Sequence, residues 1–100
     1  MVKAVLNNGI MKIALFGELD DGSAPKVRKT LDDILSDEKV RKVVIDMSNL
    51  DFMDSTGIGV LLGRYKKMLE RKIPAFIHSP KTSVDKVLNL SGIYKLMPKI

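Results

Sequence analysis

A chain of 100 residues with 45% hydrophobic content and no cysteine is long enough for one compact domain, spanning 1–100, and must build its core without disulfides or thiolate metal sites. Its 17 basic and 12 acidic residues leave a formal charge of +5, but the two kinds are interleaved, which argues against a nucleic-acid track or a membrane-binding patch. No apolar run approaches the roughly 20 residues of a membrane span, and Met1-Val2-Lys3-Ala4-Val5-Leu6 lacks the apolar run and cleavage site of a secretory signal, so the chain reads as soluble and cytoplasmic.

The first elements are two apolar segments, Val2 to Leu6 and Ile10 to Leu19, separated by Asn7-Asn8-Gly9. Asn-Gly supplies the positive φ angles of tight hairpin turns, so an antiparallel hairpin is expected. Ser23 as an N-cap, Pro25 in the first turn, and Val27, Leu31, Ile34 and Leu35 at helical spacing predict an amphipathic helix ending near Asp37. Val43-Val44-Ile45 is short and β-branched, as a buried strand of a parallel sheet would be.

From Ser55 to about Arg71, Ile58, Leu61, Leu62, Tyr65, Met68 and Leu69 form one helical stripe, with Arg64, Lys67 and Arg71 off it. A strand over Ile73 to Ile77, a helix over Thr82 to Ser91 stopped by Gly92, and a last strand over Ile93 to Met97 complete the pattern. The expected fold is α/β: a mixed, mostly parallel sheet of about five strands with right-handed helical crossovers.

The informative stretch runs from Asp46 to Gly59, read as a loop that leaves a strand and enters a helix, the end of a strand that ligand and modification sites favour. Gly57, Gly59 and Gly63 fall inside one predicted helix, where each costs about 1 kcal/mol relative to alanine. Gly59 and Gly63, four apart, suit close packing of the helix backbone. Gly57, in the first turn, would leave the helix entrance uncovered beside Ser55 and Thr56.

Asp54-Ser55-Thr56 has two readings. All three are preferred N-cap types and can simply satisfy orphan N–H groups. Alternatively, with Met53 and Ile58 as apolar contact surface around it, the segment presents a hydroxyl to another molecule. A phosphoryl group there would meet the positive end of the helix dipole and free N–H groups, and would add about 1.5 to 2 negative charges next to Asp51 and Asp54. A docked partner would then be repelled without refolding.

Enzyme signatures are missing from the pattern. His78 is the single histidine, no Gly-x-Ser-x-Gly elbow surrounds Ser55, and no Gly-x-x-x-x-Gly-Lys phosphate loop is present. Asp46, Asp51 and Asp54 could gather around a magnesium ion, but their spacing of five and three matches no metal loop. The expectation is a protein that is not an enzyme and carries no cofactor.

Asp51-Phe52-Met53-Asp54-Ser55-Thr56-Gly57-Ile58-Gly59-Val60-Leu61-Leu62-Gly63-Arg64-Tyr65-Lys66 resembles the phosphorylation segment of the STAS domains, and within them of the bacterial anti-sigma factor antagonists of sporulation and stress response. Gly17-Glu18-Leu19-Asp20, Ser79-Pro80 and Leu90-Ser91-Gly92-Ile93 are similar to further family motifs, so the resemblance covers essentially the whole chain. Family members commonly continue into a final helix, whereas this sequence stops at Ile100.

The resemblance implies a partner-switching cycle. The unphosphorylated antagonist binds an anti-sigma factor that is also a serine kinase, using its own ATP and magnesium, and so releases the sigma factor. A metal-dependent serine phosphatase reverses the modification. Ser55 is the implied acceptor, with Thr56 the alternative hydroxyl. Asp20, Asp21 and the segment Met53, Asp54, Ser55, Thr56, Gly57 and Ile58 are the implied docking residues, on a chain expected to be a monomer or weak homodimer. The other reading is a STAS module that is not phosphorylated and binds a small ligand or organises a larger complex.

Overall fold

In the computed structural model, which describes residues 2–100, the chain first reverses at Asn8 and Gly9, whose φ angles are 51° and 80°. Two positive φ angles are what a two-residue type I′ turn requires. They bring Asn7 opposite Ile10, so that β1 (Val2–Asn7) lies antiparallel to β2 (Ile10–Leu19). Helix α1 (Ala24–Leu35) then crosses to β3 (Lys42–Met53), and α2 (Ser55–Glu70) to β4 (Ala75–His78), followed by α3 (Thr82–Ser91).

The sheet order is β1-β2-β3-β4, with β2, β3 and β4 parallel. Because the parallel strands succeed one another in a single direction and such crossovers are right-handed, α1 and α2 fall on the same face. Burial agrees: Met11, Ile13, Leu15, Val43, Ile45, Met47, Ala75 and Ile77 are buried, whereas the residues alternating with them are exposed or half-buried. The core fills the space between that face and the helices with Leu31, Leu35, Val60, Leu61, Met68, Val84 and Leu88. Among the described residues, no helix is long and apolar enough to cross a membrane.

Two arginines thought to lie off the apolar stripe of α2 are engaged with α1. Arg64 is 9% exposed; its Nε lies 3.0 Å from Asp32 Oδ1, whose same oxygen pairs with Lys67 Nζ at 2.9 Å. The Arg64 contact is an ion pair rather than an aligned hydrogen bond. Arg71, just past α2, donates to the carbonyls of Leu35 and Asp37, capping the negative end of α1. Leu69, placed on the stripe by its spacing, is instead 60% exposed.

Three further expectations need correction. First, β3 does not end near Ile45 but continues to Met53, so Asp46 to Met53 is strand rather than loop. Its polar stretch conceals this because two register shifts against β2 break the alternation: buried positions run Val43, Ile45, Met47 and then Leu50 and Met53. Second, the last strand is absent. Gly92 takes a left-handed conformation, Ile93–Lys95 forms a 3₁₀ helix, and buried Ile93 and Met97 are joined by Met97 N–H to Ile93 carbonyl. An isolated bridge pairs Ile77 with Lys99, two residues beyond the span expected as a fifth strand. Third, Ser23 does not cap α1 with its side chain; its hydroxyl donates to the Glu18 carbonyl and accepts from Asp20 N–H.

Candidate functional site

The C-terminal ends of β2 and β3 are neighbours, with Leu19 paired to Met53. The loop after β2 and the entrance to α2 are therefore side by side, about one strand spacing of 4.8 Å apart where they leave the sheet. A single residue, Asp54, connects β3 to α2. Its backbone is extended (φ −118°, ψ −168°), and its Oδ1 accepts the N–H groups of Thr56 at 2.9 Å and Gly57 at 3.4 Å, while its carbonyl accepts from Ile58. This is the N-cap the residue type predicts.

Ser55 is the first residue of α2 and is exposed, and among the described residues its hydroxyl has no hydrogen-bond partner. Thr56 is half-buried. The two hydroxyls that the sequence could not tell apart therefore differ in access. The N–H groups expected to receive a phosphoryl group are already taken by Asp54, so a group on Ser55 would point to solvent beside a carboxylate rather than settle into the helix end.

The glycines exchange the roles expected of them. A Cβ on Gly57 would stand 2.6 Å from Met53 Cγ, 3.1 Å from Leu19 Cγ and 3.2 Å from the Leu19 carbonyl oxygen, so this buried glycine lets α2 start directly against the two strand ends. Gly59 and Gly63 meet nothing within 4 Å. Gly59 is exposed one helical turn beyond Ser55 on the same side, leaving smooth backbone next to the hydroxyl.

Met53 and Ile58 do not supply apolar contact surface: they are 3% and 9% exposed, with their side chains in the core. The apolar group that does face outward is Phe52, 44% exposed, which the sequence reading passed over. No signal in the sequence marked it, because this stretch reads as loop and the strand that turns Phe52 outward is set by pairing with β2. Asp20 is half-buried; its Oδ1 accepts from Ser23 N–H at 3.0 Å, which shapes the loop, and Asp21 beside it is exposed.

The three aspartates weighed as a metal cluster are each occupied elsewhere. Asp51 pairs with Lys81 across to the start of α3, Asp54 caps α2, and Asp46 accepts from Ser48 N–H at 3.0 Å. Partial burial alone would raise the Asp46 carboxyl, but hydrogen bonds from Ser48 and the nearby charges of Lys12 and His78 outweigh it and hold it below the usual range. Among the described residues no three potential ligands assemble around a metal position. His78 lies half-buried with Nδ1 3.2 Å from the Ile100 carbonyl.

Charge is unevenly placed along the strands. Glu18, Asp20, Asp21, Asp51 and Asp54 gather where β2 and β3 end, with Lys81 paired to Asp51, whereas Lys39, Arg41, Lys42, Arg71 and Lys72 outnumber Asp37 and Glu38 where β3 and β4 begin. The site is thus the acidic end of a basic protein.

A family model described as STAS domain matches residues 1–100. An anti-sigma F factor antagonist of Paenibacillus polymyxa is 34% identical over 92 residues, covering 92% of this chain and 79% of that protein. An anti-sigma-B factor antagonist of Listeria monocytogenes is 28% identical over 81 residues, covering 81% and 70%. The unphosphorylated form of the antagonist SpoIIAA superposes with a TM-score of 0.84 at 26% identity, covering 100% of this chain and 88% of that one; the phosphorylated form of the Bacillus protein gives 0.75 at 25%, covering 100% and 91%. With a family model matched along its whole length and the fold shared with these solved structures, this chain belongs to the STAS domain family.

Proposed function

We propose that this protein is an anti-sigma factor antagonist whose unphosphorylated form binds an anti-sigma factor with serine kinase activity, and whose affinity is switched off by phosphorylation of Ser55. The observation that carries the reading is the access of that hydroxyl: Ser55 is exposed and unengaged on the first turn of α2, while its neighbour Thr56 is half-buried. Relatives named as antagonists, and a similar protein solved in both phosphorylation states, support the same assignment.

The exposed groups at this end of the sheet support a docking surface around Ser55. Phe52, Ser55 and Gly59 are exposed, flanked by Asp21 and by Asp20 in the adjoining loop. A partner face with basic groups fits these carboxylates. Phosphorylation adds about 1.5 to 2 charges of the same sign, with no free N–H in the first turn to neutralise them beyond the Ser55 amide itself. The cost of stripping water from the phosphoryl group, and its bulk against a partner seated at Ser55, then fall on the docked state, not on the fold. A serine phosphatase restores binding.

The test is reconstitution with the cognate anti-sigma kinase and magnesium ATP, followed by peptide mass spectrometry and size-exclusion chromatography. One phosphoryl group on Ser55 together with dissociation of the complex is the expected result. A stable complex with no modification would favour a non-switching module, and modification of Thr56 would move the acceptor.

A further inference from the structure

Parallel sheets occur almost always with both faces covered, because each crossover lays a helix across them. Here β2, β3 and β4 are parallel, yet the burial pattern puts the helices on one face. In register, the other face carries the rows Asn7–Ile10–Lys42, Val5–Lys12–Val44–Phe76 and Lys3–Ala14–Asp46–His78. Val5 and Ile10 are 67% and 42% exposed, and no residue of these rows is fully buried.

We propose that this uncovered face is a second docking surface, occupied by an acidic amphipathic helix of a partner protein. Apolar Val5, Ile10, Ala14, Val44 and Phe76 form the floor, and Lys12 and Lys42 stand at the half of the sheet near the strand starts, with Lys3 further along. The carboxylates Asp46 and Glu18 lie toward the other end, so a negatively charged helix is steered across the basic half. Four strands span about 14 Å, which about three helical turns cross.

The aromatic rings decide between an acidic protein and a nucleic acid. Lys42 Nζ lies 5.0 Å from the Phe76 ring centroid, and Lys3 Nζ lies 5.5 Å from that of Phe16. Base stacking needs open rings, whereas here a lysine of the chain itself lies over each. Ammonium groups held over the rings are instead positioned to meet carboxylates at the edges of a helix that rests on the floor between them. This surface adjoins the Ser55 site at Glu18, which pairs with Phe52, but its floor toward the strand starts is available in either phosphorylation state.

Two helical peptides of about five turns, with identical leucine faces but glutamates or lysines on the polar side, are titrated into isotopically labelled protein while amide shifts are recorded. The glutamate peptide is expected to move amides of residues 3–14 and 42–46 and to leave those of 55–62 in place. The double variant Lys12→Glu/Lys42→Glu should weaken it at least about tenfold with an unchanged circular dichroism spectrum. Lys66→Glu, on α2, should have no effect. No shifts at millimolar peptide, or equal binding of both peptides, overturns the proposal. So does the same set of shifts arising from protein concentration alone, which would make the occupant a second copy. An oligothymidylate or phosphatidylserine vesicle that moves these residues more strongly than the peptide overturns the protein occupant.

Discussion

Gly57 is pressed against Leu19, and the space a Cβ would need at Gly57 is bounded by the Leu19 side chain and carbonyl as well as by Met53. Gly57→Ala is accordingly expected to destabilise the fold by about 1–3 kcal/mol, the usual cost of forcing extra volume into a packed site. Gly59→Ala enters open space in a helix and should stabilise by about 0.5–1 kcal/mol. Thermal unfolding of the pair should give shifts of opposite sign. Equal signs would mean that the two glycines are not distinguished by packing.

Ser55→Ala should remain bound to the kinase in the presence of magnesium ATP, and Ser55→Asp should lose binding, both with melting temperatures near that of the parent because the side chain is exposed. Calorimetric titration with the kinase reads both. Parental affinity in Ser55→Asp would remove charge as the basis of the switch.

Arg64 joins α2 to α1 through a pair that is closed off on the arginine side and partly wet on the aspartate side. Arg64→Ala should cost about 2–3 kcal/mol, since it removes a long packed side chain and leaves Asp32 with Lys67 as its remaining partner. Arg64→Met keeps most of the volume and should stay within about 1 kcal/mol of the parent. Urea denaturation separates the two cases: an equally large loss in both would show that the ion pair itself, not the packing, holds the helices.

Stability should be level through neutral pH and fall on both sides. Asp46 and Asp85 titrate below the ordinary value of 3.8 in the fold, the first through Ser48 and nearby cations in spite of burial, the second through hydrogen bonds from Tyr94 and Lys99. Because the unfolded chain binds these protons more readily, their contribution is present above 3.8 and is lost as pH falls through the lower folded values. Tyr94 is displaced upward from 10.0 by burial and by its bond to Asp85, so its contribution holds below 10.0 and declines above it. Melting temperatures across the pH range should show both limbs, and Tyr94→Phe should flatten the alkaline one.

Local chemistry made some elements legible in the sequence. The Asn8-Gly9 turn, the Pro25 entry to α1 and the Asp54 entry to α2 are specified by residues whose backbone preferences act at short range, and all three appear as expected. The run of β3 past Ile45 depends instead on pairing with β2 through two register shifts, which no periodicity of a single strand reveals. The last strand failed for a related reason: β-branched and aromatic residues at Ile93 and Tyr94 suit a strand, but the reversal at Gly92 and the burial of Ile93 and Met97 on one side select a helical turn. At the site, the Asp54 cap was readable from residue type, whereas Ser55 was set apart from Thr56 only by the family resemblance. The burial of Gly57 and Met53 was not readable, because it involves Leu19, a residue distant in sequence, nor was that of Ile58 in the shared core.

The uneven placement of charge along the strands has a kinetic consequence. A molecule with carboxylates where β2 and β3 end and cations where β3 and β4 begin experiences a torque in the field of a charged partner. It turns its Ser55 end toward a basic surface before contact, which raises the fraction of collisions that begin in register. Association should therefore slow as ionic strength rises while dissociation changes little. Under the proposed switch, phosphorylation of Ser55 enlarges the dipole while weakening the complex, so the modified protein should still arrive quickly and leave sooner, an exchange governed by residence time rather than by encounter.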